Sequence, residues 1–188
     1  MNTSSADSEL VNSLRNGNIS AGGVLYERYK RNVYYFVLKM LRDDQSAHDV
    51  VQQTFIAMIE KIGSLKQDAT FRQWLFSIAR NESLMLLRRK RMIPMDGLDE
   101  ADAPVFDTDT PETVYARNET AGIVRDALDR LSPAYREIIL LRMTGQLSYE
   151  EIAAVTGASV SAVKSKLFKA RMQLAVQLTP YVNKEDEQ

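Results

Sequence analysis

The 188-residue chain is 45% hydrophobic and 26% charged with a net charge of −1. That balance suits one or two small soluble domains and excludes wholesale disorder. Cysteine is absent and His48 is the one histidine, which excludes disulfide frameworks, thiolate zinc sites, cysteine nucleophiles and multi-histidine metal centres. No apolar run reaches the roughly 18 residues of a membrane span. The polar, acidic start (residues 1–10) does not read as a signal sequence. The expectation is a cytoplasmic protein without cofactor, metal or membrane contact.

Net charge by segment is more telling than the total. Residues 24–92 carry +6 and residues 121–182 carry +3, while residues 93–120 between them carry −7. Two basic modules flanking an acidic connector point to an anionic partner such as nucleic acid. The predicted organisation is a helical domain over 1–92, an acidic linker over 93–118, a second helical domain over 119–182 and an acidic tail over 183–188.

In chain order, helical spacing of apolar residues predicts a short helix near 5–15 and longer ones over 24–42, 44–62 and 71–91. No stretch alternates long enough for a strand, so the fold class is all-α. In the 44–62 helix, Ala47, Val50, Val51, Phe55, Met58, Ile59 and Ile62 form the expected buried side. Asp49, Gln52, Gln53, Ile56 and Glu60 line the opposite face. An isoleucine among amides and carboxylates fits the apolar centre of a protein-binding face. It fits equally an ordinary amphipathic helix with one exposed apolar residue. His48, beside this face, reads as a surface residue.

The 71–91 helix is expected to bury Phe71, Trp74, Leu75, Ile78 and Met85. Its other side presents Gln73, Ser77, Arg80, Asn81, Arg88 and Arg91. Cations at its end complement the helix dipole, and arginines interleaved with amides and hydroxyls can also grip phosphates and read bases. The polar loop 63–70 before it can meet a splayed base. Residues 92–118 hold three prolines and the acidic cluster, the composition of a linker.

Ser132-Pro133 opens the next helix as candidate cap and first-turn residue. Ser148 then forms a candidate capping box with Glu151, a short helix runs to about Val155, and Thr156-Gly157-Ala158 makes a tight turn. A second helix from about Ser159 buries Val160, Val163, Leu167, Ala170, Leu174 and Leu178. This is a helix-turn-helix pattern. Its outer face carries Ser161, Lys164, Ser165, Phe168 and Met172, flanked by Lys166, Lys169 and Arg171. Hydroxyls, lysines and an apolar ring suit a major groove. Phe168 taken alone is compatible with partial burial.

Three stretches together carry a family resemblance: DVVQQTF at 49–55, FRQWLFSIARNESLMLLRRKR at 71–91, and LSPAYREIILLR at 131–142 followed by the helix-turn-helix. The chain resembles an extracytoplasmic-function (ECF) sigma factor of the bacterial sigma-70 family. The resemblance implies a subunit without chemistry of its own. It would bind core RNA polymerase, capture melted minus-10 DNA with the first module and read double-stranded minus-35 DNA with the second. It also implies an anti-sigma partner and no small-molecule substrate. Asp49, Gln52, Thr54 and Phe55 match the polymerase-binding stretch, of which Thr54 and Phe55 fall on the apolar side. Asn81 matches the minus-10 asparagine, and Lys164, Ser165, Phe168 and Lys169 match minus-35 reading positions. The sequence departs from the family at Gln53, where glutamate is usual, and at Met85, where aspartate is common.

Three other functions are conceivable from sequence, one of them a pure interaction protein such as a polymerase inhibitor. A polymerase-independent regulator would share the helix-turn-helix but leaves the 49–55 and 71–91 stretches unexplained. A metal-dependent nuclease using Asp107 and Asp109 would need an ordered scaffold that a proline-bearing linker does not offer.

Overall fold

Helix α1 (Thr3–Arg15) packs its buried Val11 and Leu14 against α2 (Ile19–Leu41) in the computed structural model, which describes residues 3–92 and 122–182. Helix α2 begins five residues before the predicted start. Asn18 caps it, accepting a hydrogen bond from the Ser20 amide at 3.1 Å, and the helix tolerates Gly22-Gly23 in its first turns. Gly22 lies where α1 passes closely. A Cβ there would stand 3.2 Å from a Leu14 methyl, so Gly22 serves the close approach of the two helices.

Arg42, in the left-handed region at φ +58°, ends α2. Asp43 then caps α3 (Asp44–Lys61) through the Ser46 amide. Two single 3₁₀ turns, Ile62–Ser64 and Asp68–Thr70, lead into α4 (Phe71–Met92). Helices α1 to α4 share a core in which Phe36 meets Phe76 edge-on at 5.5 Å and Tyr29 meets Phe71 at 5.6 Å.

The second group of helices begins with α5 (residues 122–129), followed by α6 (Pro133–Met143), α7 (Tyr149–Thr156) and α8 (Val160–Val182). Pro133 holds the first helical position of α6 as predicted. Ser132 precedes it but makes no side-chain cap bond, a correction to its expected role. The α5–α6 corner is closed instead by the buried Arg136. Its Nε donates to the Leu128 carbonyl at 3.0 Å, and Nη2 donates to the Asp129 and Leu131 carbonyls at 2.8 and 2.9 Å. The α7 capping box forms as read: the Ser148 amide donates to Glu151 at 2.7 Å and the Glu151 amide to the Ser148 hydroxyl at 3.1 Å. Gly157 takes the left-handed turn at φ +70°.

Among the described residues there is no strand, in agreement with the all-α expectation, and no helix is long and apolar enough to cross a membrane. The acidic segment 93–118, with Asp107 and Asp109, and the tail 183–188 lie outside the described residues.

Replacing Arg136 by alanine removes the donor from three carbonyls, two in buried bonds and one part-buried, each bond worth about 1 kcal/mol or more. Urea unfolding of Arg136→Ala should show a loss of about 2–4 kcal/mol, with Arg136→Lys intermediate because an ammonium cannot reproduce the planar fork.

Candidate functional site

Three surfaces collect the residues singled out in the sequence. On α3, Asp49, Gln52, Gln53, Ile56 and Glu60 are all exposed and follow one line, as the spacing predicts. The inner side is set by Thr54, whose hydroxyl donates to the Val50 carbonyl at 2.7 Å, and by Phe55, edge-on to Tyr26 at 4.8 Å. Thr54 and Phe55 are buried and shape this helix rather than its outer face. Ile59, expected inside, is 44% exposed. It borders Gly22 of α2, where an added Cβ would stand 4.0 Å from Ile59 Cγ1. The exposed apolar surface here is therefore larger than Ile56 alone. His48 is exposed, its ring 4.9 Å from that of Tyr34 and its Nε2 3.7 Å from Asp44. No cluster of metal-ligating side chains occurs among the described residues.

Helix α4 divides its residues differently from the prediction. Its buried line runs Phe71, Leu75, Ala79, Ser83, in steps of four, with Phe76 beside it. Met85 falls off that line and is exposed, a correction to its expected burial. Ser83 enters the core because its hydroxyl is satisfied by the Ala79 carbonyl at 2.8 Å. Trp74 and Ile78 are half-buried.

The expected DNA face of α4 is only partly open. Asn81 and Arg88 are exposed. Ser77 donates to the Trp74 carbonyl at 2.7 Å. Arg80 is paired with Glu137 of α6 at 2.6 Å, the two side chains 18% and 14% exposed. The side chain of Arg91 lies outside the described part. Lys90 folds back to Asp43 at 2.5 Å and to the Ser46 hydroxyl at 3.0 Å, which holds the Asp43 carboxyl below the usual carboxylate range.

Arg80–Glu137 belongs to a seam between the two groups of helices that the sequence did not reveal. Lys39 of α2 is buried and lies 3.6 Å from Asp129 at the end of α5. Arg42 donates to the Asp129 backbone carbonyl. Burial lowers the Lys39 pKa, with Asp129 opposing the shift. The signal available in sequence was a lysine on the apolar side of α2 and an arginine at the apolar centre of α6.

The third surface is the outer face of α8. Ser161, Lys164, Ser165, Phe168, Lys169 and Arg171 are all exposed. Phe168 is 67% exposed, which decides its open reading against burial. Val163, Leu167 and Ala170 are buried as predicted, whereas Val160, Leu174 and Leu178 are half-buried. The N-terminus of α8 is held by Ser159, whose hydroxyl accepts from the Ala162 amide at 3.2 Å.

Residues 25–92 match the model of sigma-70 region 2, and residues 121–174 match that of sigma-70 region 4. The chain is 30% identical to the RNA polymerase sigma-H factor of Pseudomonas aeruginosa, covering 96% of this chain and 97% of that protein. It is 30% identical to the ECF RNA polymerase sigma-E factor of Escherichia coli, covering 95% and 97%. Among solved structures, it resembles CnrH in complex with the cytosolic domain of CnrY, with a TM-score of 0.69, 30% identity and coverage of 93% and 98%. The sigma factor RpoE of Bartonella quintana, in complex with the anti-sigma factor NepR, shares the fold at a TM-score of 0.63 and 23% identity, over 84% and 96% of the chains.

The seam is open to test, because a cysteine-free chain accepts two unique labels. Dyes at Arg31→Cys and Arg130→Cys, both exposed positions, should show energy transfer that falls in Glu137→Ala and falls with added salt. Unchanged transfer would show that the ion pair does not hold the two groups of helices together.

Proposed function

Because the chain belongs to the ECF sigma factors of the sigma-70 family, we propose a division of labour among the three surfaces. The exposed line Asp49, Gln52, Gln53, Ile56 and Glu60 docks on core RNA polymerase, with the open flank at Ile59 widening its apolar centre. Helix α4, through Ser77, Arg80, Asn81, Arg88 and Arg91, and the loop 63–70 before it, capture unpaired bases of the minus-10 element. A cationic groove with planar polar groups suits a single strand. Helix α8 enters the minus-35 major groove with Ser161, Lys164, Ser165, Phe168, Lys169 and Arg171. There lysines reach phosphates or guanine edges, and the Phe168 ring meets a thymine methyl.

The observation that carries this reading is the exposure of all six α8 residues on one capped helix, in the same chain as the exposed α3 line and the cationic α4. A stand-alone regulator needs only the first of these. The protein acts as a specificity subunit in the bacterial cytoplasm, and the phosphodiester chemistry belongs to the polymerase. In its closed arrangement Glu137 neutralises Arg80, so contact between Arg80 and DNA requires that pair to part. CnrH and the Bartonella factor were each solved bound to another protein. We assign this chain the same kind of control, by an anti-sigma factor.

Transcription by bacterial core polymerase on fragmented genomic DNA, with RNA 5′ ends mapped, should gain starts that share two upstream elements when this protein is added. Lys164→Ala with Lys169→Ala should abolish minus-35 protection and reduce the salt slope of promoter binding by about 2, if both lysines meet phosphates. Retained protection would remove α8 from the groove.

A further inference from the structure

Helix α1 precedes the part of the chain that matches sigma-70 region 2, yet it grips the loop in front of α4. Arg15, the last residue of α1, donates from Nη2 to the Leu65 carbonyl at 3.0 Å and to the Asp68 carboxylate at 2.6 Å. Between these two anchors lie Lys66 and Gln67, both exposed. The loop is fixed from within as well. Leu65 is buried in the core, and its amide donates to the Ile62 carbonyl at 3.2 Å. Thr70 bonds the Gln67 carbonyl through both its amide, at 2.9 Å, and its hydroxyl, at 2.7 Å.

The other end of α1 is tied down independently. Asp7 is buried and accepts from Arg28 and from the Tyr29 hydroxyl. The same hydroxyl accepts from Nε of Arg72, in the first turn of α4, at 3.5 Å. Burial first, and the Asp7 bond second, push the Tyr29 pKa up to about 12, so this link holds its proton throughout the neutral range. Helix α1 therefore spans from the start of α4 to the loop that leads into it.

We propose that Arg15 is a positioning residue for recognition of the melted strand. This rests on the assignment of loop 63–70 to the minus-10 element. The guanidinium sets the distance between the two ends of the Leu65–Asp68 segment, and so the direction in which Lys66 and Gln67 project. It also cancels the Asp68 charge, which would otherwise repel a phosphate backbone. Its reach is geometric: Nη2 alone donates to both the carbonyl and the carboxylate, and the rigid guanidinium plane fixes the directions of its two N–H bonds, which a rotating ammonium does not.

The test uses polymerase holoenzyme and a promoter library randomised across both elements. Arg15→Ala should flatten the base preference at one minus-10 position by about tenfold, within the range of one base contact. Minus-35 preference and polymerase affinity should stay unchanged. Arg15→Lys and Asp68→Asn should give smaller changes at the same position and keep the protein folded if alanine does not. A purely structural role for Arg15 would instead lower the thermal midpoint and total transcription with the base profile intact, and that result overturns the proposal. Lys66→Ala with Gln67→Ala separates the two levels. If this pair alters the profile and the three Arg15 and Asp68 variants do not, the loop reads the base without Arg15. If none of them alters it, the assignment of the loop fails and the role of Arg15 falls with it.

Discussion

A helix ends in carbonyls that have no partner within it, and the junction of α5 and α6 depends on one buried guanidinium to supply them. Arg136 bonds the carbonyls of Leu128, Asp129 and Leu131, the last turn of one helix and the link to the next. Water would satisfy those groups at a surface, but the bonds to the Leu128 and Leu131 carbonyls are buried and the guanidinium takes its place. The same turn offers its Asp129 carboxylate and carbonyl outward to Lys39 and Arg42 of α2. The interior of one module and the seam with the other thus share a few consecutive residues, and α6 is held at the angle that brings Glu137 to Arg80.

The seam between the two modules is built from charge as much as from apolar contact. Ion pairs such as Arg80–Glu137 give direction and register, and their net strength is modest once desolvation is counted. A purely apolar joint would resist separation in any medium. A charged one weakens as salt is added or when either partner finds a better counter-charge.

The helices were legible in the sequence because their apolar residues recur with one period. The helix-turn-helix was the most legible part, since the Ser148 cap, Gly157 and the outer face of α8 each act locally. What escaped were effects set by neighbours far along the chain. The start of α2 was missed because Gly22 answers to Leu14 of α1, not to its own helix. Ile59 and Met85 fall outside the core because a single helical wheel does not show which neighbours a helix meets, or that the buried line of α4 advances by fours. The α4 face was read as fully open because nothing near Arg80 in sequence announces Glu137. The grip of Arg15 on the loop was invisible for the same reason: its partners stand fifty or more positions away.

Between α6 and α7 the chain turns through Gly145, where a Cβ would come within 2.6 Å of the Leu141 carbonyl oxygen. The next residue, Gln146, holds φ at +51°. Backbone oxygen cannot move aside as a side chain can, so position 145 admits no substituent without reshaping the bend. The bend between α6 and the last two helices therefore depends on a residue without a side chain at position 145. The outward residues of α8 take no part in this bend, so what that helix presents to its surroundings and how it is held are specified by separate residues.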